Sequence, residues 1–214
     1  MTVPARPAVS VVPLRDGPEG LEVFVQHRRT TMDFAAGAVV FPGGRCDPGD
    51  ETKGAALDLP EPVLGEHVAA WSLLTVLEGD PRAQARTLLA TGLRELAEET
   101  GLVASPADLL PWDRWVTPEG LPRRFDVAFF VLAVPADAEA QPEHATTEAT
   151  HSRWEPVAGV LEGAAAGALA VLTPTRVILE ELDALRDVAT VVARRPVITG
   201  VRDDRPEGRP RPRR

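Results

Sequence analysis

Ten consecutive residues, Phe125 to Val134 (FDVAFFVLAV), carry a single charged side chain, Asp126. A run this apolar, rich in valine and phenylalanine, reads as a strand. A strand without a polar face is buried on both sides, so it belongs in the middle of a sheet covered by helices. The flanking sequence supplies the rest. Ala8–Leu14 reads as a strand with a proline near its end, Leu21–His27 alternates apolar and polar residues as its partner across a Gly17–Gly20 turn, and Ala38–Phe41, Trp112–Val116 and His151–Trp154 read as further strands. Helical spacing appears in Glu66–Leu77 and again in Arg82–Thr100, where Gly101 stands at the C-cap position. A short helix is predicted over Leu161–Leu169 and a longer one over Thr175–Leu185, opened by a proline. Asp47–Leu64, rich in Pro, Gly and Asp, reads as a loop, and Pro42–Gly44 as a tight turn. These elements predict an α/β fold with a mixed central sheet between helical layers.

The chain of 214 residues is long enough for one core with an insertion. A net charge of −9 argues against nucleic acid as a partner. It also means that an anionic substrate needs a local device, a metal ion or a few focused arginines. The single cysteine, Cys46, excludes an internal disulfide and suits a reducing compartment. The N-terminal MTVPARPAVSVV lacks the apolar run of a signal peptide, and GAAAGALAVL is too short to span a bilayer. A cytoplasmic protein without a membrane partner is therefore expected. The tail from Arg202, RDDRPEGRPRPRR, is charged and proline-rich, and disorder is expected over 202–214.

The chemistry concentrates in Arg94–Leu102, RELAEETGL. On a helix, Glu95, Glu98 and Glu99 stand at i, i+3 and i+4 and share one face. Like charges at that spacing cost about a few tenths of a kcal/mol per pair. They also crowd the helix C-terminus, where the macrodipole disfavours negative charge. One reading is a solvated acidic face. The other is a site for a divalent cation, since Mg²⁺ takes hard oxygen ligands from a few carboxylates and from substrate phosphates. The flanks favour the second. At average residue usage, a chance match to Arg-Glu-apolar-x-Glu-Glu-x-Gly-apolar in a chain of this size is on the order of one in a hundred thousand.

This segment resembles the second half of the Nudix box of the Nudix hydrolases. The first half resembles FPGGRCDPGD, with Pro42, Gly43 and Gly44 in place and Asp50 where the family has Glu. Forty-three residues, Glu51 to Leu93, separate the two halves. That is roughly thirty-six more than the family spacing. The insertion, together with WVTPEGLPRRFDVAFF and LTPTRVILEEL, resembles the branch of the peroxisomal coenzyme A diphosphatase. The likeness runs from about Val11 to Leu185.

The resemblance implies a Nudix α/β/α sandwich over 1–201, with a helical insertion at about 51–86 between the halves of the box. It implies a hydrolase of nucleoside diphosphate derivatives that uses Mg²⁺, with Mn²⁺ as a substitute. Glu95, Glu98 and Glu99 become metal ligands, joined by a backbone group of Gly43. Arg94 pairs with Asp50, or with Glu51 after a one-residue slip, and Gly44 lets backbone approach a phosphate. A general base comes from a late loop, with Glu148 first and Glu143 second. Arg123 and Arg124 clamp a substrate phosphate, against the alternative of structural pairs with Asp126 or Glu119. Arg28 and Arg29 also reach substrate. The substrate implied is coenzyme A or an acyl-coenzyme A. ADP-ribose, a dinucleotide or a nucleoside triphosphate are the alternatives, and a non-catalytic ligand-binding module is a third reading. Asp33 departs from a coenzyme A motif that wants arginine there. The histidines, His27, His67, His144 and His151, are scattered and receive no role. Trp112 and Trp115 are read as core or pocket wall. The insertion, with Trp71, Leu73, Leu74 and Leu77, covers the core or forms a contact in a homodimer.

Overall fold

The computed structural model describes residues 3–31, 35–72, 79–194, 196, 198 and 201–202. The expected disorder beyond Arg202 and the roles of Asp33, Leu73, Leu74 and Leu77 fall on residues outside that set. Among the described residues, nine strand segments form one mixed sheet. They are β1 (Arg6–Gly17), β2 (Gly20–Arg28), β3 (Ala38–Val40), β4 (Gly43–Arg45), β5 (Leu110–Val116), β6 (Phe125–Ala133), β7 (Ala149–Pro156), β8 (Ala170–Val171) and β9 (Val201–Arg202). The helices are α1 (Pro48–Ala55), α2 (Glu61–Ala70), α3 (Pro81–Thr100), α4 (Val157–Ala165), α5 (Thr173–Leu185) and α6 (Val188–Ala193).

The apolar run takes the central place its composition predicts. β6 lies between β1, its parallel neighbour, and β5, its antiparallel one. Its side chains alternate between two cores. Ala128, Phe130 and Leu132 face a core with Leu88, Leu89 and Leu96 of α3 and Leu64 of α2. Phe129 and Val131 face the opposite core, with Ile178, Leu179 and Leu182 of α5 and Val160 of α4. β1 divides in the same way, Val9 and Val11 to one side and Val12 and Leu14 to the other. Burying each large apolar side chain contributes about 1.5–3 kcal/mol, so the two helical layers are held by the sheet's own alternation.

β1 is also where the sheet forks. Its first half pairs with β4 and its second half with β2, both antiparallel. The Pro42–Gly44 segment is therefore not simply a turn, because Gly43 and Gly44 already lie in β4 against Val9 and Ser10. The expected loop over Asp47–Leu64 is also corrected, since it contains α1 and the start of α2. Pro48 starts α1, and the Asp50 carboxylate reaches back to accept the N–H of Asp47. Gly54 lets that helix dock where a Cβ would meet the Arg86 backbone at 2.7 Å. The Pro, Gly and Asp residues that suggested a loop are start signals and contact points.

α2 runs over Glu61–Ala70, where the pattern predicts Glu66–Leu77. It covers the core. Leu64 is buried, and Trp71, just past its end, packs edge-on against Phe130 at 5.2 Å between centroids. α4 begins earlier than predicted and ends at Ala165. α3 follows its pattern closely. Its N-cap Asp80 accepts from the Ala83 N–H at 3.1 Å, and Gly101 closes it in the left-handed region at φ 70°.

His67 of α2 is buried beside the Phe130 ring, and its Nδ1 has no hydrogen-bond partner among the described residues. Burial pushes its pKa down to about 4. An unfolded chain protonates this imidazole near 6.5. Between those values the unfolded state binds more protons, so this group's contribution to stability is constant above about pH 7 and falls as pH drops towards 4. His67→Met removes the effect. In urea denaturation, the variant should gain on wild type by about 2 kcal/mol between pH 7 and pH 4.5. A pH-independent difference would mean that the ring is solvated in the folded protein.

Candidate active site

The three acids at the end of α3 share a helix face but not an environment. Glu99 turns towards the sheet and is buried. Its Oε2 accepts from the Gly43 N–H at 2.9 Å and from Gln26 Nε2 at 3.1 Å. Burial pushes its pKa up to about 7, helped by the charges of Glu95 and Glu148 and opposed by those two hydrogen bonds. Glu95 lies against β4, and burial also raises its pKa, against the pull of Arg94. Glu98 is the most exposed of the three. The donor set is all carboxylate, which suits a hard cation such as Mg²⁺ or Mn²⁺. The local backbone fits as well. A Cβ on Gly44 would stand 2.2 Å from Glu95 Oε1, so glycine leaves the space that this carboxylate occupies.

Arg94 organises the cluster. Its guanidinium has five N–H donors, and all five are used. Nε and Nη2 grip Asp50 bidentately, each at 2.8 Å. Nη2 also donates to the Arg45 carbonyl at 3.0 Å. Nη1 holds Glu95 at 2.8 Å and Glu98 at 3.0 Å. Those contacts, Asp50 foremost, hold the arginine well above its ordinary pKa. Asp50 is fully buried. Burial raises its pKa, but Arg94, the Asp47 N–H and the Thr91 hydroxyl outweigh that and hold the carboxyl below its usual range. Asp50, not Glu51, is thus the partner of Arg94, and the shorter side chain reaches because α1 carries it inward.

The late loop closes over the same helix end. Glu143 N–H donates to the Thr100 carbonyl at 2.8 Å and Ala145 N–H to the Glu99 carbonyl at 3.1 Å. Glu148 pairs with Arg28 at 2.8 Å and stands close enough to Glu99 to raise its proton affinity. Arg28 is therefore engaged with Glu148, and Arg29 Nε reaches the Ala149 carbonyl at 3.4 Å.

A cavity of about 540 Å³ opens beside β4, lined by Arg6, Arg45, Arg123 and Arg124 with Pro122 and Phe125. Among the described residues, four arginines and no acid line it. β1 brings Arg6 opposite Phe125 and Ala8 opposite Arg45, which assembles three distant segments. Arg124 is buried and donates to the carbonyls of Thr117, Pro118 and Val3. Those contacts make it a wall that braces the strand entry, not half of a free clamp. The pair expected for Asp126 is made by Arg114 instead. Trp112 and Trp115 are core, their ring N–H groups bonded to Glu181 and Asp113.

No family model matches the chain. It is similar to Putative nudix hydrolase 7 of Caenorhabditis elegans, 26% identical over 172 residues, which cover 77% of this chain and 57% of that protein. The chain thus spans little more than half the length of this curated relative. Its structure is similar to that of the NUDIX hydrolase from Alicyclobacillus acidocaldarius, with TM-score 0.70 and 26% identity over 91% of this chain and 98% of the other. The fold is that of the Nudix hydrolases. The NUDIX domain of Shewanella oneidensis NrtR, solved with ADP ribose, shares the fold at TM-score 0.50 and 16% identity, covering 85% of this chain and 88% of that one.

Within the Nudix fold, the structure brings Glu95, Glu98, Glu99, Arg94, Asp50, Gly43 and Gly44 to one place, with Glu148 and Arg28 at its edge. Gly101 caps the helix, and Arg123 and Arg124 lie in the neighbouring cavity. Sequence reasoning missed Gln26, Thr91, Arg6 and Arg45. Gln26, fully buried on the face of β2 that it shares with Phe24, gave no separate signal because Glu22 and Arg28 make that face read as polar. The other three depend on strand and helix pairing.

Gly43 and Gly44 separate the fold from the site. A Cβ on Gly43 would meet the Val9 carbonyl oxygen at 2.3 Å, a backbone atom that cannot yield. Gly43→Ala should therefore lower stability by about 1–3 kcal/mol, as overpacking does. Gly44→Ala meets only the Glu95 carboxylate. It should fold with nearly wild-type stability and bind Mg²⁺ at least about tenfold more weakly by isothermal titration calorimetry, the cost of about 1.4 kcal/mol. Equal effects of the two substitutions on stability would contradict this division.

Proposed function

We propose that the chain is a Mg²⁺-dependent hydrolase of pyrophosphate bonds, acting on coenzyme A or an acyl-coenzyme A and releasing 3′,5′-ADP and 4′-phosphopantetheine. The observation that carries the hydrolase reading is the Arg94 joint, which ties Asp50 to Glu95 and Glu98 across the long insertion, with Glu99 held beside them by Gly43 and Gln26. Glu95, Glu98 and Glu99 would hold the metal, with a backbone group of Gly43 beside them. Bound there, a divalent ion neutralises phosphate charge and lowers the pKa of water. An inert binding module gains nothing from three repelling acids, two of them with raised proton affinity.

The chain's own groups do the rest. Arg94 fixes the directions of Glu95 and Glu98. Gly43 and Gln26 orient Glu99. Glu148 stands at the rim as general base, about half exposed and paired with Arg28 at 2.8 Å. It takes a proton from the water whose oxygen forms the new bond to phosphorus, while the bridging P–O bond breaks and its electrons stay on the departing phosphate oxygen.

The arginine cavity supports a substrate with a further anionic group. Arg6 and Arg45 present exposed side chains, and Arg123 lines the same cavity. A phosphomonoester such as the 3′-phosphate of coenzyme A matches that lining. ADP-ribose and simple dinucleotides lack this group.

The test is hydrolysis with Mg²⁺ of coenzyme A, 3′-dephospho-coenzyme A, ADP-ribose and nucleoside triphosphates, read by mass spectrometry. Glu99→Gln should reduce turnover of every substrate by at least about a hundredfold without loss of fold. Coenzyme A should exceed its dephospho form by about tenfold or more in kcat/KM, worth about 1.4 kcal/mol, and Arg45→Gln should erase that preference. Preference for ADP-ribose, or equal rates with and without the 3′-phosphate, would keep the hydrolase and discard coenzyme A.

A further inference from the structure

The sheet carries a second group of metal-binding side chains on the face away from the acids of α3. In β2, Gln26 points to Glu99, so its neighbour His27 points to the other side. The register of β2 and β7 sets His27 opposite His151, Val25 opposite Arg153 and Val23 opposite Glu155. His151, Arg153 and Glu155 therefore line one face with His27. The ligand atoms of His27, His151 and Glu155 all lie within 4.8 Å of one another. His27 Nε2 is 2.6 Å from Glu155 Oε1, and the two imidazoles stack with centroids 4.1 Å apart. We propose that His27, His151 and Glu155 form a site for a transition-metal ion of the zinc class, separate from the Mg²⁺ site.

The hydrogen bonds around the group choose the ligand atoms. The Thr150 hydroxyl donates its one hydrogen to the His27 carbonyl at 3.0 Å. At 3.2 Å from His151 Nδ1 it acts as an acceptor, so Nδ1 carries the hydrogen and Nε2 is left bare. An imidazole held through its other nitrogen in this way is the usual arrangement of a histidine ligand. Zinc–nitrogen and zinc–oxygen bonds are about 2.0–2.2 Å. The two rings lie nearly parallel, 18° apart, so both must turn from their stack for their nitrogens to converge on one ion. Arg153 Nε is 2.8 Å from the same Glu155 oxygen, but the arginine is largely exposed and free to turn outward. Two imidazoles and one carboxylate leave a fourth position open, and this set selects zinc-class ions over Mg²⁺. Nearness in sequence gives the site a reach. Arg28 follows His27 at a bulge, and Glu148 precedes the start of β7, so an ion bridging the two strands stiffens the segment that holds the Arg28–Glu148 pair.

The experiment is calorimetric titration of Zn²⁺ into the full chain in millimolar Mg²⁺, with Co²⁺ absorption in the visible range as the coordination readout. One equivalent of Zn²⁺ should bind, with the intense Co²⁺ bands of a tetrahedral site. His151→Ala and Glu155→Gln should each weaken binding at least tenfold, while Glu98→Gln leaves it unchanged. His151 is partly exposed, so its variant should fold even if substitutions at His27 do not. No Zn²⁺ binding in the presence of Mg²⁺ would overturn the site, and so would binding that persists in His151→Ala or disappears in Glu98→Gln.

Discussion

One guanidinium carries the connection between two parts of the chain that lie far apart in sequence. Arg94 spends all five donors on Asp50, the Arg45 carbonyl, Glu95 and Glu98. Two of those partners belong to the segment before the insertion and two to the helix after it. The joint is bidentate, and its acid is buried with two further donors on it. Removing one partner of such a buried pair leaves a charge without compensation, which costs far more than the intact pair contributes. The insertion can therefore be long without loosening the site. Loop entropy grows only slowly with length, and α1 docks closely on α3 at Gly54.

β4 is the second element on which the site turns. Its first residue gives an N–H to Glu99, its second makes room for Glu95, and its third gives a carbonyl to Arg94 and a side chain to the arginine cavity. Three consecutive residues thus connect the acids to the space in which a second anionic group would sit. β4 holds this position because it pairs with β1, and β1 is fixed by β6 in the middle of the molecule.

Much of this was legible in the sequence, for physical reasons. The apolar run of β6 announced a covered central strand, and the period of α3 with Gly101 after it set that helix almost to the residue. Arg94 and the three acids stood out because their spacing works against helix stability. Asp50 was legible as a partner only through the family pattern. What stayed hidden depends on register and docking. The Pro, Gly and Asp residues of α1 serve equally well as loop or helix-start signals. The pairing of His27 with His151, and of Arg6 with Phe125, is set by strand alignment that no local pattern encodes. Four histidines that read as scattered therefore include two that stack. The clamp expected of Arg123 and Arg124 failed at Arg124 because three carbonyls of the strand entry take its donors.

Asp50 and Arg94 act as one unit across the insertion. A double-mutant cycle with Asp50→Asn and Arg94→Gln tests it most directly, read both as urea stability and as Mg²⁺-dependent turnover. The joint is bidentate and its acid is buried, so each single substitution should cost about 3 kcal/mol and the double no more than the worse of the two, a coupling of about 2–3 kcal/mol. Additive losses within about 0.5 kcal/mol would contradict the account. They would mean that the two halves of the site are held together by something other than this joint.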